Sequence, residues 1–146
     1  MSDSIDNKYV VFKLNEEYYG LPIGKVKAIE RMSQTTRIPN TYHYIKGVMN
    51  LRGEVVTVLD LRAKLNLPEK EIDNNSRTIV VMEGETTVGL IVDSSSEVLT
   101  ISADSIDSTN TATTIDSNMI DSITGIGKTE DGRLVIILEL AKILEN

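Results

Sequence analysis

Cysteine and tryptophan are absent from the 146 residues, and histidine and phenylalanine occur once each. Without cysteine there is no disulfide framework, no thiolate zinc site and no cysteine nucleophile. With His43 alone, neither a multi-histidine metal cage nor an H-E-x-x-H helix exists. No apolar run approaches the ~20 residues that a membrane-spanning helix needs. The start, Met1 to Lys8, is polar, so no secretory signal is expected before the fold, and a cytoplasmic protein is the economical reading. Basic residues are also short: 15 Lys and Arg stand against 22 Asp and Glu, a formal charge of −7. That balance argues against nucleic acid, where clustered Lys and Arg supply most of the affinity. One Phe and no Trp also supply few stacking platforms for bases. What is present, 40% hydrophobic residues, suffices for the core of one domain, or of two very small ones.

The chain repeats itself. A shift of 69 residues pairs Val10, Val11 and Phe12 with Ile79, Val80 and Val81, and Gly20 and Leu21 with Gly89 and Leu90. The same shift pairs Ile23 with Val92 and Ile29 with Val98. A later stretch repeats at 78 or 79 residues: Ile45, Gly47 and Val48 face Ile123, Gly125 and Ile126, and Gly53 faces Gly132. There Leu59, Asp60 and Leu61 face Leu138, Glu139 and Leu140. Glycines matching in the same order define two related halves, about 8–67 and 77–146.

Local patterns predict β structure. Tyr9–Leu14, Glu54–Leu61, Arg77–Glu83, Thr86–Val92 and Arg133–Leu138 are short β-branched runs bounded by turn residues. Leu51-Arg52-Gly53 and Glu130-Asp131-Gly132 read as hairpin turns. Ile23, Val26 and Ile29 after Pro22 predict a short helix or turn, and Leu140, Ile143 and Leu144 a C-terminal helix. Some ten short strands in two halves make a pair of small barrels or a sandwich. Ser102 to Ser117 reads as a surface loop pinned by Ile106 and Ile115.

No catalytic constellation emerges. Ser122 to Thr129 ends like a phosphate-binding loop, but Ser122 stands where that motif needs glycine, and a polar turn and strand follow Lys128 instead of a helix. His43 has no partner histidine or carboxylate at motif spacing and reads as a surface or packing residue. No G-x-S-x-G elbow activates a serine. Asp93, Asp104, Asp107, Asp116 and Asp121 are each followed by Ser, a pattern of caps and Asx-turns. Asp60, beside Arg62, is expected in an ion pair or a strand-end cap, with Glu139 in the equivalent place. No metal, cofactor or turnover is expected.

The run Tyr44-Ile-Lys-Gly-Val-Met-Asn-Leu-Arg-Gly-Glu-Val-Val-Thr-Val-Leu-Asp-Leu-Arg62 resembles the signature of the CheW family. Phe12 to Ile29 is similar to that family's opening strands, and Thr36-Arg-Ile-Pro39 to its T-x-[IV]-P link. Val88 to Asp93 with Glu97-Val-Leu99, and Gly132 to Leu144, match its second half. The likeness runs in order from about Tyr9 to Leu144. Thr57 replaces a frequent proline, and Ala28 stands where many members carry an acid, with Glu30 two positions on.

The resemblance implies a mainly all-β fold: two small five-stranded SH3-like β-barrel subdomains around a shared hydrophobic core, with short helices including a C-terminal one. Residues 1–7 are expected to be a disordered N-terminus, and 8–146 a single domain of two pseudo-symmetric subdomains. It further implies a non-enzymatic adaptor of bacterial chemotaxis, recruited to membrane-bound receptor arrays. Its partners would be the helical cytoplasmic tips of methyl-accepting chemoreceptors and the regulatory domain of the histidine kinase CheA. A scaffold of another chemosensory system, for pilus movement or development, is the alternative. Neither the kinase's catalytic domains nor a receiver domain is present, which reads as a stand-alone module. For the receptor helix, the resemblance places Val10, Ile23, Val26, Ile29, Val98 and Leu99 at an apolar groove; filling a barrel core is the competing use of the same residues. Lys46, Asn50 and Arg52 are the expected partner-interface turn, and Gly47 and Gly53 its structural glycines. A turn does not require arginine, so Arg52 is expected to bond a partner.

Overall fold

A computed structural model describes residues 7–32, 34–108 and 122–145. Eleven strands lie within them: β1 (Lys8–Leu14), β2 (Glu17–Pro22), β3 (Val26–Arg31), β4 (Ile45–Leu51), β5 (Glu54–Asp60), β6 (Arg77–Glu83), β7 (Thr86–Val92), β8 (Ser94–Thr100), β9 (Ile106–Ser108), β10 (Ile123–Lys128) and β11 (Leu134–Leu138). Two one-turn helices follow equivalent strands, α1 (Leu61–Lys64) after β5 and α2 (Leu140–Ile143) after β11. Single 3-10 turns occupy Ile23–Lys25 and Ala103–Ser105.

The five expected strands are present to within a residue or so. Ile23, Val26 and Ile29 divide between the 3-10 turn and β3, because the strand's pairing with β6 overrides the helical spacing. In the Ser102–Ser117 stretch, residues to 108 form a 3-10 turn and β9, and Ile106 packs on buried Val11, Ile101, Val135 and Ile137. Ile115, Asp116 and Asp121 lie outside the described residues, as does all but Asn7 of the expected disordered start.

The chain divides into two compact units, residues 1–25 with 96–146, and residues 26–95. The first unit's sheet has the order β8-β1-β2-β11-β10-β9, and the second's β3-β6-β7-β5-β4. Only the second matches the expected five strands; in the first, Ile106–Ser108 adds a sixth by pairing with β10. β11 runs parallel to β2 and β5 to β7, while the pairs β1–β2, β9–β10, β10–β11, β3–β6, β4–β5 and β6–β7 are antiparallel.

Burial explains the composition of the strands. Val10-Val11-Phe12 of β1, Thr78 to Val81 of β6 and Val88 to Val92 of β7 are buried at every consecutive position. A strand covered on both faces needs such a continuous run. β3 and β10 alternate, so only one face is covered. In the second unit Met49, Val56, Val58, Val80 and Ile91 form one core cluster.

Candidate functional site

β4 and β5 are joined by a two-residue loop, since Leu51 pairs with Glu54. Arg52 has φ of 52° and Gly53 of 87°. Two left-handed residues make a type I′ turn, whose twist matches that of the flanking strands. Glycine suits its place there. Arginine does not, because its Cβ crowds the carbonyl at a cost of roughly 1–2 kcal/mol. The Asn50 side chain accepts a hydrogen bond from the Gly53 N–H at 2.9 Å, which holds the turn. Arg52 therefore stands at the tip with its side chain 80% exposed, and its Nη2 lies 3.4 Å from Oε2 of Glu30 on β3. Beside it, Lys27 of β3 and Glu54 form a looser pair at 3.8 Å.

Gly47 serves another purpose. It lies at a bulge in β4, between the Ile45–Leu59 and Gly47–Val58 pairs. Thr36 crosses it, exchanging backbone hydrogen bonds of 2.8 and 2.9 Å with Val48. A Cβ on Gly47 would lie 2.1 Å from the Thr36 carbonyl oxygen. Lys46 does not join the Arg52 turn: it is exposed near the other end of β4, about 20 Å away at the rise of a strand. It lines shallow clefts with Lys70 and Ile72, and with His43 and Asn66.

The six residues expected at an apolar groove have different fates within their units. Val10 is 2% exposed, because β1 is covered on both faces. It fills the interior and offers no surface, so its assignment to the groove is corrected. In the same unit Ile23 and Leu99 are half-buried, with Leu99 packed on the Val11 cluster. Val98 is 49% exposed on edge strand β8. In the second unit Val26 is half-buried, and Ile29 is 42% exposed on edge strand β3, where it pairs with buried Ile79. Ile29 and Val98 are partners in the sequence repeat, so each unit presents an apolar side chain at the equivalent point of its edge strand.

One charged group was not singled out from the sequence. Arg133 follows the β10–β11 turn, with Nη2 3.0 Å from Glu97 and Nε 3.2 Å from Asp131. Its guanidinium also lies 4.8 Å from the centre of the Tyr18 ring. The hydrogen bond to Glu97, then that to Tyr18, raises its pKa further above the ordinary arginine value. The Thr129 hydroxyl, followed by Arg133, holds the Asp131 carboxyl below the usual range. These side chains border a cleft of about 450 Å³ that Val98, Leu99 and Thr100 also line. The repeat carried a signal for it: Arg133 occupies the place of Glu54, so the two hairpins bear opposite charges there.

The remaining sequence candidates are structural. Asp60 accepts from the Arg62 N–H at 3.1 Å and caps α1. Arg62 is buried, pairs with Asp93 at 2.6 Å and donates to the Pro68 carbonyl at 2.9 Å. Glu139 precedes α2 and accepts instead from the Thr124 hydroxyl at 3.2 Å. His43 is exposed and meets the Tyr44 ring edge-on. Ile123 to Lys128 is strand β10 and leads to the next hairpin, which is no phosphate loop. No helix among the described residues is long and apolar enough to cross a membrane.

Comparison with known proteins agrees with this geometry. A family model for the CheW-like domain matches residues 8–146. The chain is similar to Chemotaxis protein CheW of Bacillus subtilis (strain 168), with 38% identity over 138 residues, 94% of this chain and 86% of the relative. It is 34% identical over 145 residues to Chemotaxis protein CheW of Klebsiella aerogenes, covering 99% of this chain and 85% of that one. In structure it is similar to the scaffolding protein TtCheW from Thermoanaerobacter tengcongensis, with a TM-score of 0.86, 37% identity, and coverage of 97% of this chain and 94% of that one. Mainly β structure in two small SH3-like subdomains, with short helices, is the architecture this chain shares with that scaffolding protein.

Proposed function

The chain belongs to the CheW family, and from that premise we propose that it is a non-enzymatic adaptor of bacterial chemotaxis. It couples the helical cytoplasmic tips of methyl-accepting chemoreceptors to the regulatory domain of the histidine kinase CheA. It acts in the cytoplasm, recruited to membrane-bound receptor arrays by those contacts. Such a protein works by presenting surfaces, and its chemistry is that of binding.

Arg52 carries this reading. A turn whose geometry asks for Asn, Asp or Gly holds instead an arginine in a left-handed conformation, with its side chain in solvent. Strain kept at an exposed position points to a use outside the fold. A guanidinium placed there donates to a carboxylate or a backbone carbonyl of a partner. Ile29 and Val98 supply exposed apolar surface on the edge strands of their respective units, of the kind that takes the apolar face of a helix.

The test is reconstitution. The purified chain, a soluble receptor cytoplasmic fragment and the CheA-like kinase are mixed, and co-sedimentation and receptor control of kinase activity are measured. Expected is a three-component assembly whose kinase responds to the receptor, and loss of both with folded Arg52→Ala. A folded wild-type chain that binds neither partner overturns the reading.

A further inference from the structure

Four strand ladders join the two sequence repeats. β3 and β5 of the first repeat pair with β6 and β7 of the second. β1 and β2 of the first pair with β8 and β11 of the second. Five ladders stay within a repeat. The first repeat keeps the hairpins β1–β2 and β4–β5. The second keeps β6–β7 and the three strands β9, β10 and β11. An isolated hairpin is marginal in water.

The exchanged element is a hairpin, and it is the same hairpin in both directions. β1–β2 closes on the pair Leu14–Glu17 with Asn15 at φ 58°; β6–β7 closes 69 positions on, at Glu83–Thr86, with Gly84 at φ 62°. In each unit that hairpin fills the gap between an edge strand and a parallel partner supplied by the other repeat: β1–β2 between β8 and β11, β6–β7 between β3 and β5. The strands next to the parallel partners, β10 beside β11 and β4 beside β5, also correspond. β10 has a bulge at Gly125 like that of β4 at Gly47, and there too a carbonyl, that of Asp107, lies 2.4 Å from where a Cβ would stand.

We infer that the two repeats are complementary halves, each the binding partner of the other, so that a chain severed between α1 and β6 remains one assembled molecule. Residue size makes the pairing heterotypic. Phe12 and Tyr19 pair across β1–β2, both buried, with ring centres 6.1 Å apart. The equivalent pair in β6–β7 is Val81 and Val88, also buried. A Phe–Tyr hairpin overpacks a site built around two valines, and the converse leaves a cavity. The first repeat therefore selects the second over another copy of itself.

The experiment uses the full chain with a protease recognition sequence inserted after Glu71, in the exposed loop before β6, or after Asn74 as a second variant. Expected of the nicked protein is co-elution of both halves with an unchanged β-sheet spectrum, and a melting temperature that falls with dilution. After urea is diluted out, sheet signal returns only with both halves present, its half-time falling about tenfold for a tenfold rise in their concentration. Separation of the halves on a sizing column at micromolar concentration overturns the inference. So does a cooperative melt with native sheet signal from either half alone.

Discussion

Arg52 at the tip of the β4–β5 hairpin and Glu30 on β3 face each other at 3.4 Å, and the acid stands two residues beyond Ala28 on the same face of the strand. Ala28 packs against the core of its unit, beside Met49, Val56 and Val58. Glu30, nearer the strand end, is the acid that reaches the arginine. A pair this open to water contributes no more than ~1 kcal/mol to the fold, so its worth lies in aiming the guanidinium.

Arg52→Ala is expected to leave stability within about 0.5 kcal/mol. A charge-assisted bond lost across an interface costs roughly 1.5–3 kcal/mol, a complex about 10- to 150-fold weaker. Arg52→Asn separates fold from function more sharply. It builds the Asn-Gly sequence that a type I′ turn prefers, so stability should rise by about 1 kcal/mol as left-handed strain is relieved, while partner binding falls as in the alanine variant. Thermal melts beside affinity measurements check this. A variant more stable than wild type with full binding would return Arg52 to the turn alone.

Substitution by aspartate sorts the apolar set by exposure. Ile29→Asp and Val98→Asp fall at solvent-facing positions and should fold with a change of about 0.5 kcal/mol or less, yet weaken capture of a receptor helix. Val10→Asp buries a carboxylate in a covered strand and should prevent folding, since an unpaired buried charge costs several kcal/mol. Circular dichroism and helix-fragment binding on the same preparations read both effects. Unchanged receptor affinity in folded Ile29→Asp and Val98→Asp proteins would remove both residues from the site.

How much of this was legible in the sequence depends on which interaction decided it. The repeat was legible because a bulge or a tight turn favours glycine; Gly47 and Gly53 kept their places in both halves for that reason. Which strands then pair was not, because a repeat says that β1 corresponds to β6 but not that β6 lies against β3. Val10 and Ile29 were alike in type, and only pairing separates a strand covered on both faces from one at a sheet edge. The Arg52 turn was readable from Gly53, whereas the left-handed arginine emerged only from the register, since Leu51 opposite Glu54 leaves room for two residues. Arg133 was passed over because its acids, Glu97 and Asp131, are brought to it by folding.

Asp131 gives a pH test with a defined sign. Its pKa is lowered from the ordinary 3.8, chiefly by the Thr129 hydroxyl and then by Arg133. A depressed folded-state pKa contributes stability that is fully present above 3.8 and is lost as pH falls through the lower folded value. Thr129→Val removes the largest cause, so the Asp131 carboxyl should titrate closer to 3.8 by NMR. Acid unfolding should then lose the part of its pH dependence that lies below that value. An unmoved titration curve would assign the shift to Arg133 instead.

Gly47→Ala tests whether the Thr36 crossing is structural or part of the partner surface. The new Cβ would lie 2.1 Å from the Thr36 carbonyl oxygen and 2.7 Å from its carbon, both backbone atoms, and the residue sits at φ 146°. Neither contact is relieved by turning a side chain, so Thr36 must leave β4 or the bulge must change. Two backbone bonds to Val48 are lost if Thr36 leaves, each worth about 1 kcal/mol net. With the overlap added, destabilisation of roughly 2–4 kcal/mol is expected. Hydrogen exchange should show it locally, as lost protection at the Thr36 and Val48 amides, while β6 and β7 keep theirs. Binding should fall only in proportion to the folded fraction, because Gly47 is buried and has no side chain to offer a partner. A Gly47→Ala protein of wild-type stability that fails to bind would move this glycine from the fold to the interface.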